Sequence, residues 1–70
     1  MINQSIKEKF NNVYCLLAIY PQGIGTKFVA KKLDLSVSEA YHILSSGVYD
    51  EKLEVSEDKN QDIIYYIKGT

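Results

Sequence analysis

The stretch KFVAKKLDLSVSEAYHILSSGVYDEKLEV, Lys27 to Val55, carries two helical periodicities separated by a very short polar break. Val29, Ala30 and Leu33 recur on one side of a short helix that Thr26 can cap. Asp34 and Leu35 occupy a tight connection, and Ser36 with Glu39 three residues on has the form of a capping box opening a third helix. Helix, three-residue turn and helix, with the small Ala30 where the two must cross closely, is the arrangement of a helix-turn-helix.

Wound at about 100° per residue, the third helix places Val37, Ala40, Leu44, Gly47 and Val48 on one side and Ser38, His42, Ser45 and Tyr49 on the other. The first set reads as core, the second as the displayed side. A glycine inside a helix costs up to about 1 kcal/mol relative to alanine. Val48 nevertheless keeps the apolar phase, so the helix is expected to run through Gly47 to about Tyr49.

Upstream, Ser5 and Glu8 form another capping-box pattern. Ile6, Phe10, Val13, Tyr14 and Leu17 follow at helical spacing, giving a first helix near residues 5–19. Pro21 ends it, and YPQGIG reads as a turn in which two glycines free the backbone. Downstream, KLEVSE and DIIYYIKG are rich in β-branched and aromatic residues around the polar DKNQ, which predicts strands near 53–57 and 62–68 joined as a hairpin. The expectation is an α+β, mainly α, winged helix-turn-helix: three helices followed by a two-stranded β-hairpin wing, one domain over residues 1–70.

The order of residues resembles the FaeA-like small winged-helix regulators of bacterial pilus operons. TKFVAKKLDLSVSEAYHIL is similar to their helix-turn-helix, with Thr26, Val29, Ala30, Leu33 and Ala40 in matching places, and the terminal YYIKG looks like the end of their wing. The resemblance covers most of the chain from about Val13. It implies a small transcription factor acting beside a larger DNA-bound regulator. The sequence departs from that pattern in having no cation on the third helix and in the glycine at position 47.

Composition narrows the function classes. Seventy residues, 46% of them hydrophobic, make a small domain with a thin core and an expected stability of a few kcal/mol. The net charge is −1 and all eight cations are lysines, so a DNA footprint has to be local. No run of about 18 apolar residues suggests a membrane span, and MINQSIKEKF does not read as a signal peptide; a cytoplasmic location without membrane contact is expected. Cys15, the single cysteine, reads as a packing residue, and no spacing suggests a disulfide or a metal site. QGIGTK lacks the spacing of a phosphate-binding loop. Neither an enzyme nor a cofactor is expected.

The candidate site follows from the motif. In a helix-turn-helix the displayed amino-terminal part of the second motif helix enters the major groove, where base edges are distinguishable. Ser36, Ser38, Glu39 and His42 are the candidate base-reading residues. Thr26, Lys27, Lys31 and Lys32, where the preceding helix crosses the sugar-phosphate backbone, and Lys59 at the wing tip are the candidate phosphate contacts. Glu57, Asp58 and Asp62 beside Lys59 would repel phosphate. Leu16, Ile19 and Phe28 wind away from the core stripe, and IIYYI is apolar on both faces; together they suggest a homodimer or a protein-docking surface.

Two functions follow. One is a sequence-specific regulator of double-stranded DNA, aided by dimerisation or a partner regulator. The other is a winged-helix protein-interaction module that does not bind DNA. Clustering of Thr26, Lys27, Lys31, His42 and Lys59 on one surface would favour the first, and their dispersal, with a large patch around Leu16, Ile19 and Phe28, the second.

Overall fold

A computed structural model describes residues 2–69, with side chains from Lys7 onward. Five elements follow in order: α1 (Ile2–Ile19), α2 (Thr26–Leu33), α3 (Val37–Tyr49), β1 (Leu53–Glu57) and β2 (Ile63–Ile67). This is the expected succession of three helices and an antiparallel hairpin. Helix α1 begins three residues before the expected start, so Ser5 lies within it rather than at its cap. The side chains of Ser5 and Ile6 lie outside the described residues.

Every element contributes to one core. Val13 and Leu17 of α1, Val29 and Ala30 of α2, Ala40, Ile43 and Leu44 of α3, Leu53 of β1 and Tyr65 of β2 are buried together. Because the elements are short, none has an apolar face it could bury alone, and their packing supplies the stability that propensity does not. Two expected core residues are displaced. Tyr14 is exposed, its ring tilted beside Phe10 at 6.0 Å. Val37 lies outside the core and Ile43 inside it, because the buried arc of α3 is centred about half a residue's rotation, ~50°, from the predicted one.

The connections explain the crossing. Helix α2 starts after Gly25, whose extended backbone provides the cap position, so Thr26 is the first helical residue and not the cap. The turn is Asp34, Leu35 and Ser36, with Asp34 left-handed at φ 58°. Ser36 Oγ accepts from the Glu39 amide at 3.0 Å, which satisfies an otherwise orphaned donor of the first turn of α3. At the other end of α3, Glu51 N–H donates to Val48 O at 3.0 Å and Lys52 N–H to Gly47 O at 2.9 Å. With Glu51 left-handed at φ 62°, this is a Schellman closure that turns the chain sharply into β1.

Gly47 is a point of close approach between α3 and β1. A Cβ there would stand 2.6 Å from Cδ1 and 2.8 Å from Cγ of the buried Leu53, so a side chain at this position would force Leu53 to shift.

The hairpin pairs Leu53 with Ile67, Val55 with Tyr65 and Glu57 with Ile63. Its tip is closed by Asp58, whose Oδ1 accepts from the amides of Asn60 at 2.8 Å and Asp62 at 3.0 Å. On the far side of β2, Ile24 exchanges two backbone hydrogen bonds with Tyr65, at 2.8 and 3.1 Å. The YPQGIG segment is thus pinned to the wing. Of its two glycines only Gly23 takes a positive φ, 104°. A Cβ there would meet the Ile64 side chain at 3.0 Å, so this loop lies against the Ile64 face of β2, while Tyr65 on the other face is buried in the core.

Candidate functional site

The expected site residues are divided among several clefts, Thr26 and Lys27 in one, Glu39 in a second and His42 in a third. Ser36 and Ser38 are exposed at the start of α3, but the Ser36 hydroxyl is committed to its cap. The Glu39 carboxylate forms an ion pair with Lys9 of α1, so its charge is held against the helix behind it rather than free to accept from a base. A base-reading role for Glu39 therefore gives way to a tie between α1 and α3. His42 is exposed and lines a shallow cleft with Ser45, Ser46, Tyr49 and Asp50.

The lysines of α2 diverge. Lys27, Lys31 and Lys32 are all exposed, but Lys32 places Nζ 5.5 Å from the centre of the Phe28 ring, a cation–π distance. Lys27 and Thr26 line a cleft of about 550 Å³ between the start of α2 and the wing, whose other wall includes Asp58, Asp62 and Ile63. Phosphate entering there would meet two carboxylates with one lysine. Lys59 stands exposed at the tip beyond them.

The partner surface expected on α1 and α2 is also redistributed. Leu16 packs against the core and belongs to its rim, so it does not face outward as expected. Phe28 is exposed as expected, with Tyr20 in a T-shaped contact at 5.2 Å and Lys32 over its ring. Ile19 is 68% exposed. Cys15, expected as a packing residue, is exposed instead.

An apolar surface does exist, and of the stretches expected there it includes IIYYI but neither Leu16 nor Ile19. Tyr41, Ser45 and Val48 of α3 face Val55, Ile63 and Tyr65 of the wing across an open groove of about 360 Å³. Val37 is 50% exposed, Tyr41 57%, Val55 47% and Ile63 46%, so half of each of these large side chains meets water. Ile63 also lines the Lys27 cleft and Ser45 the His42 cleft, making one continuous surface from the start of α2 across the wing to the end of α3. Its charged members are Lys27 against Asp50, Asp58 and Asp62. The signal was present in the sequence: Val37, Tyr41 and Val48 share the winding of α3 that borders the wing, and β1 and β2 alternate so that Val55, Ile63 and Tyr65 face the same way.

On the opposite side of the hairpin, Tyr66 lies across from Glu54. The Glu54 carboxylate accepts from its phenol and, through charge as well, holds it above the ordinary tyrosine value. Among the described residues no group of three or more His, Cys, Asp or Glu side chains could hold a metal ion, and no helix is long and apolar enough to cross a membrane.

No family model matches this chain, and no curated protein matches it. The solution NMR structure of protein BT2368 from Bacteroides thetaiotaomicron is similar in fold, with a TM-score of 0.79 and 23% sequence identity over 99% of this chain and 82% of that one. The likeness extends to the whole arrangement of helices and hairpin.

Proposed function

We propose that this protein is a winged-helix interaction module that docks another protein on the groove between α3 and the wing. The observation that carries the reading is the composition of that surface, where Tyr41, Val55 and Ile63 are each about half exposed beside Tyr65. Tyrosine-centred apolar patches with a polar rim are what protein interfaces present, whereas a duplex presents phosphates and polar base edges. Three carboxylates on the rim disfavour the phosphates further.

DNA binding is retained as a second reading because Lys27 and Lys31 are exposed one turn apart on α2 and engage in no ion pair among the described residues. Contacts of that kind would be shallow in salt dependence, roughly 0.9 in log K per log salt for each phosphate neutralised, and Lys31→Ala would lower the slope by about one.

The test is a photoreactive amino acid placed at Tyr41 in living cells, with Asn11 on the outer side of α1 as control. Discrete protein adducts from position 41 and none from position 11 are expected. Adducts to DNA from position 41 would overturn the docking reading in favour of the second.

A further inference from the structure

The wing has one free edge, and its hydrogen-bonding phase can be derived. Asp58 N–H donates to Asp62 O at 3.0 Å and Lys68 N–H to Lys52 O at 3.1 Å. In the observed register these pairs flank the hairpin at its two ends, so the even-numbered residues of β1 direct their backbone groups toward β2. Tyr65 agrees, since its backbone groups point the other way, to Ile24. The N–H and C=O groups of Leu53, Val55 and Glu57 must therefore point to the open side of β1, where the sheet has no further strand among the described residues and the Glu57 carbonyl accepts only a long contact from Ser56 Oγ at 3.5 Å. An unpaired edge of this kind is a template for another strand.

We infer that the occupant of this edge is a second copy of the same edge, paired antiparallel about a two-fold axis at Val55. The chemistry of the strand selects that register. With Val55 opposite Val55 of the other copy, Glu54 falls opposite Ser56 and Leu53 opposite Glu57. Just beyond the strand, Lys52 falls toward Asp58 and Glu51 toward Lys59, so unlike charges meet on both sides of the axis. Moving the axis by one residue in either direction sets Glu54 against Glu54 or against Asp58, and like charges directly opposite are destabilising. In the Val55 register all three outward-pointing residues of each copy find partners.

The consequence is a four-stranded sheet in which the Val55 side chains adjoin on the α3 side, merging two grooves into one apolar surface. Five residues of edge bury less than the roughly 800 Å² per partner of tight complexes, so the pairing is a weak one, populated toward the upper micromolar range. The inference deepens the docking reading and rests on it in taking a protein as the wing's occupant.

The test is sedimentation of the full chain across a concentration series, wild type against Val55→Pro and Tyr41→Ala. Proline removes the outward N–H of Val55 without touching a bond to β2, a substitution that edge strands tolerate. The wild type is expected to move toward twice its 8.0 kDa mass, Tyr41→Ala to retain most of that association, and Val55→Pro to remain monomeric with an unchanged circular dichroism spectrum. Should Val55→Pro fail to fold, Cys15→Ser/Val55→Cys decides the matter: oxidation is expected to link two chains through position 55, and its failure to do so would overturn the pairing. A wild type that stays monomeric at the highest concentration overturns it too. Association that survives Val55→Pro but is lost in Tyr41→Ala would put the second copy in the α3 groove, leaving the docking reading intact and the edge pairing wrong.

Discussion

The two sides of α3 differ less in polarity than in what covers them. Inward lie Ala40, Ile43, Leu44 and Gly47, all buried, while outward lie Val37, Tyr41 and Val48, equally apolar in type yet half-covered or exposed. The inner residues are small or aliphatic and fit against α1, α2 and β1. The outer ones include an aromatic ring that nothing in the chain packs over completely. A helix whose apolar arc is wider than its own fold can cover has surface left for a partner. The comparison gives an operational rule: inner changes should cost stability, and outer changes should cost only association with the protein docked in the groove.

The largest effect is expected from Leu44→Ala. Deleting a fully buried leucine typically removes about 2–5 kcal/mol, and a domain of this size has only a few to lose. Thermal melts should find the variant largely unfolded, whereas Val37→Ser and Tyr41→Ala should melt within about 0.5 kcal/mol of the wild type. Equal losses on both sides of the helix would remove the distinction on which the docking reading stands.

Gly47→Ala comes next. The new methyl group would collide with Leu53, and overpacking of this kind costs about 1–3 kcal/mol. The better helix propensity of alanine offsets that by up to about 1 kcal/mol, so a modest net loss in chemical denaturation is expected. A stabilised variant would mean that α3 and β1 are not in the close contact described. Smaller again is Ser36→Ala, which removes the acceptor for the Glu39 amide and should cost about 1 kcal/mol in the same assay.

Much of this architecture was legible in the sequence, and the reasons are local. Pro21, the Ser36 cap, the three-residue turn and the alternation of KLEVSE are signals written within a few residues of where they act, and α2, α3 and β1 begin and end where those signals predict. What could not be read depended on contacts between distant segments. Glu39 looked available because nothing local announces Lys9 thirty residues earlier. Leu16 looked outward-facing because helical winding does not reveal that the core comes to meet it. Of the groove only IIYYI was noticed, since the contribution of Tyr41, Val48 and Val55 needs α3 and both strands at once. Gly47 was seen as a helix flaw, and only the position of Leu53 shows it to be a point of close approach.

The smallest expected response is also the most discriminating, and it can be read residue by residue from the backbone amide spectrum of the isotope-labelled protein titrated with mixed-sequence duplex DNA at low ionic strength. If the outer side of α3 is a protein surface, shifts should be confined to the neighbourhood of Lys27 and Lys31 and should disappear as salt is raised, while the amides of Ser38, Tyr41, His42 and Ser45 stay in place. Saturable shifts at Ser38, Tyr41, His42 and Ser45 that differ between DNA sequences would contradict the account and return α3 to the major groove.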